Sequence, residues 1–313
     1  SMTAAGRYAE LIRKEARALG FDQIGFAHAE RLDEEAEKLE KWLNSGAQGT
    51  MNYMSNHFDK RVDPRELVPG AKTVISLIYN YFTPDKQLDQ NAPKISMYAY
   101  GRDYHKVVKK KLKSLLNRIR EEIGDVSGRC FVDSAPVMER EWARRAGLGW
   151  NGKNTLTINP RKGSYFFLAE IILDLEIECD HPIRDHCGTC TRCIEACPTN
   201  AIDENGYWLD ASKCISYLTI ELKDRIPEEF SGKMENWMFG CDICQEVCPW
   251  NRFSTPHHDP DFIPNESLLQ LSASEWVEIT EELFEKIFEG SAVKRTGYQG
   301  LKRNIQFINR ESD

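Results

Sequence analysis

Apolar positions recur along this chain with two periods. Tyr8, Leu11, Ile12, Ala16 and Leu19 fall at helical spacing, and Val107, Val108, Leu112, Leu115, Leu116, Ile119 and Ile123 stripe one long helix. ERLDEEAEKLEKWLNSG predicts a charged amphipathic helix stopped at Gly46, and VMEREWARRAGLG a helix ended by glycine. Short apolar runs bounded by turn residues predict strands: FDQIGFA, the core run TVISLIYNY (73–81), RCFVDSAP leading into a turn, and SYFFLAEIILDLEI. This mixture predicts an α+β fold whose first part, residues 1–178, is an α/β-type domain.

From Cys179 to about Trp250 the texture changes to short elements, cysteines and Cys-Pro pairs, which sets off a second domain, 179–255. The tail, 256–313, shows one clear helix, TEELFEKIFEG with Thr280 as its N-cap, and then the basic stretch VKRTGYQGLKRNIQFINR. A length of 313 residues suits two domains or one large one. There is no apolar run of transmembrane length, and the N-terminus is a charged amphipathic helix rather than a signal peptide, so the chain reads as soluble and cytoplasmic, without a membrane partner. A net charge of −8 argues against charge-driven binding to nucleic acid or anionic lipid as a bulk property and leaves room for local basic patches.

The ten cysteines carry the most specific chemistry. CGTCTRCIEACP has the spacing of a bacterial ferredoxin run: Cys187, Cys190 and Cys193 fit one cubane, and the fourth cysteine, Cys197 before Pro198, characteristically reaches a second cluster. GCDICQEVCPW supplies Cys241, Cys244 and Cys248, with Cys214 upstream as the substitute for a missing leading cysteine. Two-fold ferredoxin logic assigns Cys187, Cys190, Cys193 and Cys248 to one 4Fe-4S cluster, and Cys197, Cys214, Cys241 and Cys244 to the other. Zinc is the competing reading, but zinc favours paired knuckles without terminal Cys-Pro. Cys130 and Cys179 are left as buried, inert thiols. The 26-residue stretch between Cys214 and Cys241 is more than an electron carrier needs.

An electron-transfer module, a redox enzyme and a binding protein with a structural cluster all remain open, and the large first domain favours the enzyme. Its cofactor is not named by the usual motifs. No G-x-G-x-x-G follows a strand, and DYHKVV (103–108) lacks the glycine of the B12-binding D-x-H-x-x-G.

The segments KRVDPRELVPGAKTVISL, YGRDYHKVVKKKL, FVDSAPVMEREWARRAGLGWNGKNTL, GSYFFLAEI, CGTCTRCIEACPTNAI, KCISYLT and GCDICQEVCPWN together resemble the epoxyqueuosine reductases, from about residue 5 to the Arg303-Asn304 pair. The resemblance implies a cobalamin-dependent iron-sulfur oxidoreductase that converts epoxyqueuosine to queuosine at the wobble position of a tRNA anticodon loop. It implies base-off cobalamin, electrons entering from an external low-potential donor through the two clusters, and attack on the epoxide by Co(I). Carried over by motif, it implies cobalamin contacts at Arg61, Ser96, Asp133, Thr157, Leu168, Ser216, Cys241 and Asp242. Asp133 in VDSAP is the implied proton donor, a role that asks for a carboxyl raised by burial above its ordinary value of about 3.9. Plainer roles compete: a helix N-cap for Asp133, a surface ion pair for Arg61, core packing for Leu168, a cap for Ser216. VDSAP and GKN have no expected part in cluster binding.

Lys223 and Arg225 are the leading candidates for tRNA phosphate, with Arg144, Arg145, Lys294, Arg295, Lys302, Arg303 and the lysines of HKVVKKKLKSLLNRIR behind them. Members of the family often continue into helical repeats beyond the RN pair, whereas this sequence stops at Asp313. The alternatives are a reductive dehalogenase-like enzyme acting on a small organohalide and a ferredoxin-type carrier. Arg144-Arg145 is internal and is no twin-arginine signal.

Overall fold

The computed structural model describes residues 2–133 and 137–311, so the SAP of the VDSAP turn lies outside the described residues. Four strands form the principal sheet: β1 (Gln23–His28), β2 (Thr73–Asn80), β3 (Gly128–Phe131) and β4 (Phe166–Leu173). Their spatial order is β1-β2-β4-β3 and every pairing is antiparallel. The fold class is therefore α+β, and the α/β-type expectation for the first domain gives way to an antiparallel sheet. The strand β4, inserted between β2 and β3, runs against both of them, so no two neighbouring strands are joined as in a parallel β-α-β unit.

Two layers cover this sheet. On one face, α1 (Ala4–Ala18) and α3 (Tyr104–Ile123) pack Ile12, Ala16, Val108, Leu112, Leu115 and Ile119 against Ile75, Leu77, Ala169 and Ile171. The other face carries α4 (Glu139–Arg145), with Trp142, Ala143 and Ala146 against Val74, Ile78, Leu168 and Ile172. A helix α2 (Asp33–Asn44) follows β1. Burial on both faces explains why TVISLIYN and FFLAEIIL read as nearly unbroken apolar runs, where an exposed sheet would alternate. Close approach at β1 depends on Gly25, where a Cβ would stand 2.2 Å from the Ala146 carbonyl oxygen.

A third core joins pieces from distant parts of the sequence. Ile95 and Ala99, the stretch from Ile215 to Phe239, and the tail residues Trp276, Phe284, Phe288, Leu301 and Ile305 pack together. The short strands Lys94–Ile95 and Trp237–Phe239 pair in parallel at its edge. The segment between Cys214 and Cys241 is thus the seat of the tail. The tail carries four α-helices where one was expected: Glu266–Gln270, Ala273–Val277, Glu281–Ile287 and α5 (Gly297–Glu311). Thr280 caps the third of these, its side chain accepting from the Leu283 N–H.

Candidate functional site

The eight cysteines of the two runs and Cys214 surround two separate hollows. Cys187, Cys190, Cys193 and Cys248 line the smaller, of about 150 Å³. Cys197, Cys214, Cys241 and Cys244 line one side of a much larger cavity of about 460 Å³. Among the described residues no three ligating side chains converge as around a single ion, whereas a cubane needs its four thiolates spread around it. Burial raises the thiols of Cys214, Cys241, Cys244 and Cys248 and pushes that of Cys193 to about 11, so these sulfurs ionise against a bound cation rather than alone. Cys193 and Cys244 sit on the short helices Arg192–Ala196 and Ile243–Glu246, which pack against each other, and the other six cysteines lie outside those helices.

Hydrogen bonds hold the outer hollow from the first domain. Trp150 Nε1 donates to Cys187 Sγ at 3.4 Å, and Lys153 Nζ donates to the Gly188 and Cys190 carbonyls at 2.8 and 2.9 Å. Asn154 Nδ2 reaches the Cys244 carbonyl at 3.5 Å. GKN was expected to have no part in cluster binding; its Lys153 and Asn154 instead clamp both cysteine loops. That contact is tertiary, so nothing local in the sequence announces it. Cys130 and Cys179 lie away from both hollows, and burial pushes the Cys130 thiol up to about 11 and raises that of Cys179.

The large cavity opens between the first domain and the cysteine-bearing segment. Of the eight residues carried over as cofactor contacts, Ser96, Asp133, Thr157, Leu168, Ser216, Cys241 and Asp242 line it, and Arg61 does not. Arg61 Nε donates to the Asn56 carbonyl at 3.1 Å, holding the segment that carries Tyr53, rather than forming the surface ion pair considered for it. Gly240, at φ +70, lets Ser96 approach: a Cβ there would sit 2.1 Å from Ser96 Oγ. The next residues, Cys241 and Asp242, are thereby turned to the cavity, with Asp242 accepting from the Met97 N–H at 2.9 Å. Ser216 makes no side-chain cap and leads into a π-helical turn, Tyr217–Glu221, a form that recurs at functional sites. Thr157 Oγ1 is buried without a hydrogen-bond partner among the described residues, and no histidine lines the cavity. The polar side chains of Ser96, Thr157, Ser216 and Asp242 beside the apolar Leu168 would suit the edge and face of a macrocycle.

Asp133 stands at the far side of the cavity with φ 46, its side chain about half exposed to it. It is no N-cap, because α4 begins at Glu139 with Met138 at the cap position. The Tyr104 hydroxyl donates to Asp133 Oδ2, and His105 Nε2 lies 3.7 Å from the same oxygen. Both residues open α3, whose N-cap Asp103 also takes His105 Nδ1 at 2.8 Å. Tyr104 is fixed by stacking on Phe167, ring centroids 4.1 Å apart.

The charges resolve in an order the sequence did not give. Burial lifts the Asp133 carboxyl, but the neighbouring His105 and the hydrogen bond from Tyr104 outweigh it and hold the group below its ordinary value. Burial alone was expected to raise it; a charged partner supplied by α3 reverses the sign. His105, pulled down by burial, is pushed up to about 9 by the Asp103 and Asp133 carboxylates. With both ring nitrogens facing carboxylates it is an imidazolium near neutral pH. Glu139, also in the cavity wall, is raised to about 8 by burial and then by the Asp133 charge. Tyr104, His105 and Glu139 were missed from sequence: YGRDYH and VMEREW were both in view, but only the fold turns them toward Asp133.

The basic candidates for tRNA divide. Lys223 and Arg225 are exposed on the segment just after Glu221, which lines the cavity. Arg295 lines the cavity itself. Arg144 and Arg145 are tied to Glu35 and Glu141, Lys294 to Glu285, and Lys302 to the Val277 carbonyl. Arg303 donates to the carbonyls of Leu218, Leu222 and Asp224 and is structural. Among the lysines of α3, Lys111 is bonded to the Leu19 carbonyl, while Lys106, Lys110 and Lys113 are exposed.

A double-cluster cysteine framework opening on a cofactor-sized cavity with an acid-base group at its far wall defines an iron-sulfur redox enzyme. The 4Fe-4S double cluster binding domain model matches residues 186–251, and the model described as "Epoxyqueuosine reductase QueG, DUF1730" matches 61–134. The chain is 60% identical to the epoxyqueuosine reductase of Leadbetterella byssophila over 96% of its own length and 98% of that protein. It is similar in structure to an epoxyqueuosine reductase bound to an epoxyqueuosine-modified tRNA stem loop, with a TM-score of 0.87 and 30% identity over 97% of this chain and 81% of that one. It is also similar to the Bacillus subtilis enzyme solved with its catalytic aspartate loop swung out of the active site, with a TM-score of 0.89 and 30% identity over 97% and 82%. This chain belongs to the epoxyqueuosine reductase family.

Proposed function

We propose that this protein reduces epoxyqueuosine to queuosine at the wobble position of tRNA. The observation that carries the reading is the arrangement of sites: an outer four-cysteine hollow, and a large cavity whose wall holds both the other four cysteines and Asp133. Residues 1–178 and 179–255 serve as the cofactor- and substrate-binding unit and the double-cluster unit, and 256–313 as a tail packed on both.

Removing the epoxide oxygen as water takes two electrons and two protons and leaves an alkene. Base-off cobalamin and two 4Fe-4S clusters supply the nucleophilic metal and the one-electron steps when bound, fed by an external low-potential donor. Ser96, Thr157, Leu168, Ser216, Cys241 and Asp242 would hold the macrocycle, with Thr157 Oγ1 satisfied by its polar edge. Asp133 delivers a proton to the opened oxygen. Because Asp133 is ionised and His105 charged near neutral pH, the proton delivered is the one the pair shares, with Tyr104 fixing the carboxylate. Lys223 and Arg225 meet tRNA phosphates at the cavity rim. Among the described residues no helix is long and apolar enough to cross a membrane.

The test is anaerobic reconstitution with iron, sulfide and cobalamin, followed by mass spectrometry of nucleosides from epoxyqueuosine-containing tRNA. Queuosine should appear under a strong reductant. Its absence from protein that carries eight irons and cobalamin sinks the reading.

A further inference from the structure

Glu170 is a buried acid for which the chemistry above has no use. It lies midway along β4, a strand buried at every position, and its register places it opposite Ser76 on β2 and Phe131 on β3. It is 0% exposed, and neither carboxyl oxygen has a hydrogen-bond partner among the described residues. Ser76 Oγ, opposite it and also 0% exposed, is equally unpaired. The layer around the two is apolar: Val74, Ile78, Phe131, Trp142, Leu168 and Ile172. Leu168, two residues or roughly 7 Å along the same face of the strand, already lines the cavity.

No cation answers this carboxyl. The charges that act on it are Glu139 from α4 and Asp133 from beyond β3, both acidic, and with burial they push it well above the ordinary carboxylate range. Arg129, on the same face of β3, is turned away to the Leu67 carbonyl. His105 and Tyr104 reach Asp133, not Glu170. An ionised, unpaired carboxylate in such a layer is prohibitive, so the group stays neutral. As packing, an apolar residue of equal size would serve β4 better. What the acid adds is a proton, stored under the cavity wall.

We propose that Glu170 is the proton reservoir of this active site: it holds a proton as a neutral acid and passes it by way of Glu139 to the Asp133–His105 pair after that pair has given its shared proton to the opened epoxide oxygen. The inference rests on the proposed reaction. Glu170, Glu139 and the Asp133–His105 pair each give up one proton and gain one, and solvent restores the last through the cavity, so the relay contributes one of the two protons that leave in water. Electrons take no part in it.

Glu170→Gln tests it on two readouts. The infrared C=O stretch of a neutral carboxylic acid, measured at neutral pH on the chain with or without cofactors, should be present in wild type and weakened by the loss of one such group in the variant. In the holoenzyme, E170Q should turn over about tenfold or more slowly, with KM unchanged and the alkaline limb of the pH-rate profile moved to lower pH. An unchanged band shows Glu170 ionised in wild type and overturns the proposal, as does a wild-type rate and profile in E170Q. If E170Q does not fold, Glu139→Gln interrupts the same route from the cavity wall, and an unmoved profile there overturns it equally. Failure of wild type to form queuosine strikes the proposed function instead, a result separate from a loss confined to the variants.

Discussion

At the scale of the residue, the decisive fact is that Asp133 is not an isolated buried acid. Its proton inventory is set by Tyr104 and His105, which approach from the first turn of α3. Asp133→Asn keeps the shape of the wall and removes the proton carrier. Cobalamin binding, read by its absorption, should be retained, while queuosine formation falls by about a hundredfold or more. The His105 value of about 9 gives a pH dependence with a definite sign. A histidine raised above its ordinary value of about 6.5 stabilises the fold fully below that pH and loses its contribution as pH rises through the raised value. Activity and thermal midpoint should therefore both decline as pH rises through about 9, and His105→Gln should abolish this step in the midpoint. The bond from Trp150 Nε1 to Cys187 Sγ belongs to the outer hollow, where we propose that one cluster binds. Hydrogen bonds to cluster sulfurs stabilise the reduced, more negative state, so Trp150→Phe should lower the midpoint potential of one of two clusters in an EPR-monitored redox titration and leave the other in place.

At the scale of the element, the site depends on how closely α4 and the loops approach the sheet. Gly25 allows the end of α4 to rest on β1, and a side chain there meets backbone rather than a movable group. Gly25→Ala should cost about 1–3 kcal/mol of stability through overpacking, seen as a lower denaturant midpoint with unchanged slope. The strands and helices were legible because their periods are strong: the stripe of α3, the apolar runs of β2 and β4 and the Thr280 cap all stand where the pattern put them. The short tail helices were not, since runs of five residues such as Glu266–Gln270 and Ala273–Val277 are too brief to show a period. Glu170 was hidden for the opposite reason: one acid in FFLAEIIL does not disturb the apolar reading of a strand covered on both faces.

At the scale of the whole molecule, the tail and the segment before Cys241 form one body, and that body braces the cavity. Asn304, fully buried, donates from Nδ2 to the Thr219 and Met238 carbonyls, both at 2.8 Å. Asn304→Ala would strand two buried acceptors at a cost of about 1–3 kcal/mol each. The variant should show faster proteolysis of the tail and weaker cobalamin binding, because Thr219 also takes the Gly240 N–H that sets Cys241 in place. Cysteine spacing by itself determined the chemistry of this protein, since a cubane is specified by ligand type and interval within a short loop, and the motif resemblance pointed to the family. The antiparallel order of the sheet, the clamp from Lys153 and Asn154, the lowered carboxyl of Asp133 and the unpartnered burial of Glu170 were decided only by the tertiary structure. Each depends on groups far apart in sequence, and the sign of a carboxyl's shift is fixed by which partner the fold brings to within a few ångströms.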